Sequence, residues 1–576
     1  SLQSSYCQQV IPKEYTIDVK TLNAVLAKMP NNKAPGNDLV VGFWIKNLTS
    51  LHESFRRCMI SLMDDRDALP PWLATCRTVL VPKCSDTHLP NFRPIACQNT
   101  IYKLYTGILN VFLDDHCTLN NIIFEEQAGA RKGSWGCTEQ LLINKMVLDE
   151  VRSHQRNLFA MWFEYKKAFD SVPHDWIVKS LELARVHPNL VRAIVALMES
   201  WATQICIPSE SESKATRSIP YNTGILQGDC LAMLLFIICM NPLSFLLNNC
   251  SGYKVGKPGS RNATVTHLLF VDDLKTFDSN CSEAESKLLV VSEFTNAIGM
   301  RFGSDKCAYL NVEHGKVKRL GRSLCCNGLE LKELKEGEPY TYLGVDEDVI
   351  YKGELNKERI KREYYSRVRK IWRSELLARN KVLAHNTFAT ALLIPTFGVL
   401  DWSKDEISDV DVRTRKLLTL SGAFHRNSDV DRLYAPRSEG GRGLSSIMDL
   451  YLSRVVSLAN HLQVKGKTNR LLSEVCSHES KRLLRASVEL KKAICGAEAT
   501  GLPENLSTRI KARLKASHVE AWLEKPTHGY LHREVKRKSS GSIPASSAWN
   551  LPPFMSSHLE GYLCALQEQE IETRFL

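Results

Sequence analysis

The chain has 576 residues, of which 44% are hydrophobic and 24% are charged. These proportions exclude a disordered chain, and at about 150 residues per domain the length allows several compact units. Lysine and arginine number 75 against 63 aspartate and glutamate, and the balance of +12 favours a polyanionic partner without proving one.

The cysteines and the apolar runs exclude two further classes of protein. The 18 cysteines are scattered without a CxxC pair, which argues against a zinc knuckle or a disulfide framework. The longest apolar run, residues 230–240, has eleven residues, whereas a membrane span needs roughly 20. We therefore predict no membrane span. The start at Ser1, without methionine or a signal region, favours an intracellular protein of the cytoplasm or nucleus, or a piece of a longer one.

Near the start of the chain, the turn residues at 29–38 predict a surface loop.

Two segments in the middle of the chain combine apolar runs with acids. The apolar run 157–164 then ends in Glu164, which predicts a buried strand with a carboxylate at its tip, and a helix is expected from about Pro173. Residues 266–276 are apolar on both sides of Asp272 and Asp273, which predicts a hairpin with the two acids at its bend.

These two segments would bring three carboxylates to the end of one sheet. Carboxylates about 3 Å apart do not all stay ionised without a cation, so the arrangement predicts a site for Mg²⁺, with Mn²⁺ as the alternative. Taken alone, the Asp272–Asp273 pair is more simply explained as a hairpin turn, where aspartate is common.

A series of further motifs occurs in a fixed order between Lys33 and about Leu452. The motifs are NKAPG at 32–36, VPK at 81–83, NFRPI at 91–95, EQAGARKGS at 126–134, EYKKAFDSVPH at 164–174, GILQGD at 224–229, FVDD at 270–273, GMRFGSDKC at 299–307 and YTYLG at 340–344. In this order they resemble the reverse transcriptase of non-LTR, LINE-type retrotransposons. The resemblance covers nearly three quarters of the chain.

The resemblance implies an α+β right-hand polymerase fold with fingers, a palm built on an antiparallel sheet, a helical thumb and a mainly α-helical C-terminal region. We assign residues 1–150 to an N-terminal extension and fingers, and 151–345 to the palm with fingers elements. Residues 346–455 are assigned to the thumb and post-thumb segment, and 456–576 to a helical, basic C-terminal region.

The resemblance also implies the roles of the residues around the acids. Glu164, Asp272 and Asp273 would be the metal ligands, and Lys306 would protonate the departing pyrophosphate. Lys83 and Arg93 would neutralise the incoming triphosphate, with a solvated loop as the alternative. Phe169 would exclude a 2′-hydroxyl, unless it is simply a packed core aromatic.

The remaining implied contacts are with nucleic acid. Gln227 and Gly228 would approach the template and the nucleotide sugar, although the glycine could equally well cap a helix. Residues 357–373 contain eight Lys or Arg, which suits a duplex-binding thumb helix, or otherwise a solvated amphipathic helix. The predicted nucleic-acid-binding residues are Arg131, Lys132, Tyr342, Leu343, Gly344, Lys361, Arg362 and Arg369.

The first palm acid departs from the family, which usually carries aspartate where this chain has Glu164. The extra methylene moves the carboxylate by about 1 Å, and a misplacement of that size can lower a rate by roughly 10²-fold. We therefore expect an RNA-directed DNA polymerase of weakened activity, acting on an RNA template, a DNA primer or target and deoxynucleoside triphosphates. The alternative is a catalytically impaired RNA-binding protein that keeps the template channel.

Overall fold

The computed structural model describes residues 6–7, 9–65, 69–82, 92–207, 214–256, 263–347, 353–495, 506–538 and 555–570. The chain divides into two compact units. Unit 1 contains Ser1–Gln140 and Glu150–Glu338, and unit 2 contains Leu141–Asp149 and Pro339–Leu576.

The strands are short and lie almost entirely in unit 1. In chain order they are β1 (Thr75–Pro82), β2 (Phe92–Cys97), β3 (Leu158–Phe163), β4 (Ala202–Ile207), β5 (Lys214–Ala215), β6 (Ile219–Pro220), β7 (Tyr253–Lys254), β8 (Thr264–Val265), β9 (His267–Phe270), β10 (Asp273–Asp278), β11 (Ala308–Glu313), β12 (Lys316–Val317), β13 (Leu324–Cys326), β14 (Leu329–Glu333), β15 (Tyr340–Tyr342) and β16 (Val345–Glu347).

Helices account for most of the remaining described residues. Those of unit 1 are Val19–Lys28, Gly42–Asn47, His52–Asp64, Pro71–Ala74, Thr100–Leu119, Ala168–Ser171, His174–Leu183, Pro188–Glu199, Ala232–Asn248 and Cys281–Ala297. Cys137–Ser153 supplies residues to both units. Those of unit 2 are Gly353–Arg373, Ala378–Ala384, Lys404–Leu420, Val430–Tyr434, Ile447–Lys465, Arg470–His478, Leu483–Cys495, Leu506–Glu524, Tyr530–Lys538 and Ser557–Gln567.

The larger sheet of unit 1 has the strand order β13-β14-β11-β3-β10-β9, with β12 paired to β11. Strand β3 is antiparallel to both of its neighbours, β10 and β11. All six residues of β3 are buried, which explains why its sequence is apolar without alternation. The predicted antiparallel sheet is therefore confirmed around β3. Towards one edge of the same sheet, β14 pairs with β11 in parallel.

The two segments predicted to carry acids fold as expected from their apolar patterns. Glu164 directly follows β3, and helix His174–Leu183 begins directly after Pro173. Strands β9 and β10 form an antiparallel hairpin in which Asp273 pairs with Phe270, so Val271 and Asp272 make the bend. Helix Cys281–Ala297 packs against β3 and β10 and joins them to the core.

A second sheet in unit 1 has the strand order β2-β1-β4-β5, with β6 on β4. Strand β1 is antiparallel to β2 and parallel to β4. This sheet carries Arg93, whereas Lys83 lies outside the described residues, as does Asn91.

Unit 2 is mostly helical, with one hairpin of β15 and β16. Its C-terminal helix Ser557–Gln567 is held by buried ion pairs, among them Glu560 with Arg442 at 2.7 Å. None of the helices in the described part of the chain is long and apolar enough to cross a membrane. The cysteines whose side chains the structure describes are free thiols.

Candidate active site

The three predicted acids meet at one end of the larger sheet. Strand β10 pairs with β3 so that Leu274 lies opposite Phe163. Asp273 precedes Leu274 and Glu164 follows Phe163, so both acids adjoin this last pair of the register, and Asp272 is the next residue in the bend. Facing residues in antiparallel strands have Cα atoms about 4.5–5.5 Å apart, so the register alone makes these acids neighbours.

The charges of these acids interact. Burial raises the pKa of Asp272, and the Glu164 carboxylate raises it further. Burial also raises the pKa of Asp273, to about 6, with additional contributions from Asp272 and Glu164. Negative charge is therefore unfavourable here unless a cation compensates it.

Lys306 supplies part of that compensation. Its ammonium group donates to the Glu164 carboxylate, and its charge lowers the pKa values of both Asp272 and Asp273. The backbone places it there, since Gly303 N–H donates to the Glu164 carbonyl at 2.8 Å and Lys306 follows in the short helix Ser304–Lys306.

The donor chemistry of the acids suits a hard divalent cation, because carboxylate oxygens are the ligands that Mg²⁺ prefers. Among the described residues, however, no group of three or more His, Cys, Asp or Glu side chains is arranged to hold a metal ion. The Glu164 carboxylate is bonded to Lys306 instead. For all three acids to hold one cation, the Glu164 carboxylate would have to release the Lys306 ammonium group and bind the cation in its place.

Arg93 is the other predicted residue that the fold brings to the acids. It is an exposed residue of β2, and its charge lowers the pKa of Asp272. The guanidinium therefore lies within electrostatic reach of the acidic turn. The structure thus brings together Glu164, Asp272, Asp273, Lys306 and Arg93.

The segment with Gln227 and Gly228 lies against the same strand as Arg93. The Ala96 N–H donates to the Gln227 carbonyl at 2.8 Å. Gly228 has φ +113°, and a Cβ atom there would stand 2.8 Å from the Ala96 carbonyl oxygen. Only glycine allows this close approach. The Gln227 side chain donates to Asp170 at 2.9 Å.

Phe169 is half-buried and belongs to the edge of the core. Its ring stacks on Phe236 with 4.5 Å between the centroids, and its carbonyl accepts from Ile225 N–H at 2.8 Å. One face of the Phe169 ring is therefore packed, which corresponds to the alternative interpretation of this residue as a core aromatic.

The other predicted nucleic-acid contacts lie elsewhere in the fold. Lys132 pairs with Asp114 at 3.8 Å, and the charge of Arg131 lowers the pKa of Glu126, a carboxyl whose pKa is raised overall by burial. Tyr342, Leu343 and Gly344 form the turn between β15 and β16 in unit 2, where Leu343 and Gly344 both have positive φ.

The three predicted thumb residues share one groove of unit 2. Lys361, Arg362 and Arg369 line a groove of about 410 Å³ on helix Gly353–Arg373. Glu358, Glu406 and Asp409 line it as well, so the groove carries both signs of charge.

Two supporting residues have no predicted role and become visible only in the structure. Asp229 is buried and accepts from the Tyr102 hydroxyl at 2.8 Å, which ties the Gln227–Gly228 segment to helix Thr100–Leu119. Gln127 is buried against the acidic turn. Both belong to recognised motifs, but no local pattern reveals contacts between residues more than 100 positions apart.

Comparison with known proteins identifies the class to which this site belongs. Residues 81–346 match the family described as "Reverse transcriptase (RNA-dependent DNA polymerase)". This range contains all three acids, Lys306 and Arg93. The chain therefore carries a reverse transcriptase domain.

The curated relatives of the chain come from R2 retrotransposable elements. It is 25% identical over 284 residues to a Pol polyprotein of the R2DM retrotransposable element of Drosophila melanogaster, covering 48% of this chain and 25% of that protein. An R2 polyprotein of Popillia japonica is 28% identical over 285 residues, covering 48% of this chain and 37% of that protein. One from Nasonia vitripennis is 23% identical over 398 residues, covering 67% and 37%. The chain is thus similar to Pol polyproteins of R2 retrotransposable elements at 23% to 28% identity.

The matches span only 25% to 37% of the length of these three relatives. Among solved structures, an apo telomerase of Candida tropicalis, truncated from the C-terminal domain, has 14% identity and a TM-score of 0.29, covering 46% of this chain and 54% of that one.

Proposed function

We propose that this chain synthesises DNA on an RNA template from a primer 3′-hydroxyl, as a weakened RNA-directed DNA polymerase. The observation that supports this most directly is the meeting of Glu164, Asp272 and Asp273 at one sheet end. These acids come from two segments of the reverse transcriptase domain. RNA template, DNA primer or target and deoxynucleoside triphosphates are the proposed partners.

Glu164, Asp272 and Asp273 are the residues that would hold divalent cations, Mg²⁺ or alternatively Mn²⁺. When bound, such cations lower the pKa of the attacking hydroxyl and neutralise the triphosphate. Arg93 is placed to bind phosphate oxygens, with the planar fork that suits them. Lys306 carries a proton at Nζ beside Glu164 and would deliver it to the departing pyrophosphate.

The bond between Glu164 and Lys306 supports the expectation of weak activity. Glutamate reaches the ammonium group of Lys306, and this ion pair must open before Glu164 can act as a metal ligand. A shorter aspartate at position 164 would draw the carboxylate back towards its own backbone and away from the Lys306 ammonium. We therefore infer that the glutamate favours the ion pair at the expense of catalysis.

The right-hand assignment is part of the same proposal. Residues 151–345, the proposed palm, contain the sheet that carries the acids. Residues 346–455, the proposed thumb, contain the cationic helix Gly353–Arg373. Residues 1–150 would form the N-terminal extension and fingers, and 456–576 the helical C-terminal region.

Primer extension with the purified chain tests the proposed function. With an RNA template, a DNA primer and either Mg²⁺ or Mn²⁺, the wild-type chain should incorporate deoxynucleotides slowly. Asp272→Asn should lower the rate at least about 10²-fold, and Glu164→Asp should raise it about 10-fold or more, because carboxylate position governs the barrier. Glu182→Gln, which changes an exposed acid paired with Lys179, is the matched control and should change nothing.

The alternative function makes an opposite prediction for the same proteins. If none of them incorporates nucleotide while all bind RNA with an affinity that falls with salt, the chain is an impaired RNA-binding protein. A rate that is equal in wild type and Asp272→Asn would likewise contradict the polymerase.

A further inference from the structure

Residues 126–128 lie alongside β9, next to the acidic turn. The Leu269 N–H donates to the Glu126 carbonyl at 2.9 Å, and the Ala128 N–H donates to the Leu269 carbonyl at 3.0 Å. The segment therefore extends the sheet beyond β9. Between these two backbone contacts, Gln127 is only 1% exposed.

The Gln127 side chain reaches past β9 to the bend that precedes the acids. Its Oε1 accepts from the Val271 N–H at 2.9 Å, and its Nε2 donates to the Val271 carbonyl at 3.2 Å. The same Oε1 accepts from Gly129 N–H at 2.9 Å. One amide thus satisfies both backbone groups of Val271.

Val271 needs such support because its backbone is unusual. It has φ +60°, in the left-handed region that β-branched residues rarely adopt. Gly129 also fits against it closely, since a Cβ atom at Gly129 would stand 2.6 Å from a Val271 methyl carbon. The surrounding structure therefore holds Val271 in a conformation that it would not keep alone.

We propose that Gln127 is a positioning residue, which clamps the Val271 backbone and thereby sets where the carboxylates of Asp272 and Asp273 stand. An amide suits this task because it donates and accepts at the same time, whereas an ionised carboxylate only accepts. In its effect on catalysis, the inference rests on the proposed polymerase function. The clamp on the turn does not depend on that function.

Three variants separate the clamp from general packing. Gln127→Met keeps the length of the side chain but removes all three hydrogen bonds. Gln127→Glu keeps the shape but loses the donor and adds a charge beside two acids. Gln140→Met is the matched control, since Gln140 is also 1% exposed and its Nε2 donates on the same sheet edge to the Glu126 carbonyl at 2.8 Å and to the Leu269 carbonyl at 3.4 Å rather than to Val271.

Hydrogen exchange is performed on the full chain and followed by mass spectrometry of the peptide 266–276. It measures how strongly the Val271 amide is protected, and it does not require enzymatic activity. In Gln127→Met, which removes the acceptor of its N–H, the Val271 amide should exchange at least about tenfold faster than in the wild type, whereas in Gln127→Glu, which keeps that acceptor, it should exchange at a rate closer to the wild type. In Gln140→Met, it should exchange at the wild-type rate. Equal exchange in Gln127→Met and the wild type overturns the proposal, as does equally fast exchange in the Gln140→Met control.

Steady-state primer extension then reads the effect on catalysis. Gln127→Met should lower kcat about 10²-fold and leave KM for the nucleotide within threefold, while Gln140→Met stays within threefold in both. Wild-type kcat in Gln127→Met overturns the positioning role. If the wild type itself incorporates nothing, the polymerase proposal fails, and the exchange measurement alone decides whether Gln127 holds the turn.

Discussion

Among single residues, Glu164 differs from Asp272 and Asp273 in the partner of its charge. Its carboxylate forms an ion pair with the Lys306 ammonium, whereas the two aspartates are partly buried and have raised pKa values. The site therefore combines one acid in a direct ion pair with two acids whose charge Lys306 compensates only in part. Because of this asymmetry, glutamate in place of aspartate at position 164 should alter the polymerase activity, even though both side chains carry one negative charge.

Phe169 allows a test of nucleotide selection at the same scale. If its ring blocks a 2′-hydroxyl, Phe169→Val should lower the preference for deoxynucleotides over ribonucleotides by about 10- to 200-fold, because one apolar contact is worth that much discrimination. The measurement is the ratio of kcat/KM for dNTP and rNTP.

Phe236→Leu is the control for Phe169→Val, because it removes the stacking contact and leaves the Phe169 ring in place. It should keep the preference of the wild type. Loss of preference in both variants, or in neither, would show that Phe169 acts only through core packing.

Among the elements, helix Gly353–Arg373 has two distinct faces. Ile360, Tyr364, Val368 and Trp372 are buried at intervals of four residues, which is the spacing of one helix face. Lys357 is buried too and pairs with Glu406 at 3.0 Å, so this cation is structural. Only the remaining cations are available for a nucleic-acid backbone.

The groove on this helix predicts where the duplex binds. Changing Lys361, Arg362 and Arg369 together to glutamine should weaken binding of an RNA–DNA duplex and lower the slope of log K against log salt by about 2 to 3, because each phosphate contact releases counterions. Fluorescence anisotropy measured from about 50 mM to about 200 mM salt gives this slope. Lys370 and Arg373 lie outside the groove, so changing both of them to glutamine should leave the slope unchanged.

His518 joins three helices of unit 2 through charge. Its ring contacts Asp431 at 2.8 Å and Asp449 at 3.0 Å. Burial lowers the pKa of His518, but these two carboxylates outweigh burial and raise it to about 9. The imidazolium is therefore the charged form that the fold stabilises.

The His518 contacts predict a pH dependence of stability. Because the folded pKa lies above the unfolded value of about 6.5, the stabilisation is complete below pH 6.5 and is lost as the pH rises through 9. The difference in unfolding free energy between the wild type and His518→Gln should shrink by about 2–3 kcal/mol from pH 6 to pH 10. Urea denaturation at both pH values checks this, and a constant difference would contradict it.

At the scale of the whole molecule, each unit contains its own buried ion pairs. In unit 1, Lys287 and Asp278 are both completely buried and lie 2.7 Å apart. In unit 2, Glu560 pairs with Arg442 and Arg437, which hold its pKa below the usual range although burial opposes this. Removing one partner of such a pair leaves an uncompensated charge and costs about 3–5 kcal/mol.

The two units, each with its own buried ion pair, are predicted to unfold separately. Calorimetry should show two transitions, since multidomain chains rarely unfold in a single step. Lys287→Met should lower the Tm of one transition by about 5 °C or more, and Glu560→Gln should lower that of the other. A single transition shifted equally by both variants would contradict the division into two units.

Local patterns in the sequence determined the elements that carry the site. The apolar run before Glu164 requires a buried strand, and the acids between two apolar runs require a hairpin bend, because side-chain periodicity and turn chemistry are local properties. Motif order determined the class of protein. Both are readable without knowing which segments meet.

The tertiary structure alone decided which groups act together. Glu164 and Lys306 are 142 positions apart, and Gln127 and Val271 are 144 apart. No periodicity encodes such contacts, since they depend on the strand register, and a slip of one residue between β10 and β3 would turn Asp273 to the opposite face of the sheet. The parallel pairing of β14 with β11 was unpredictable for the same reason.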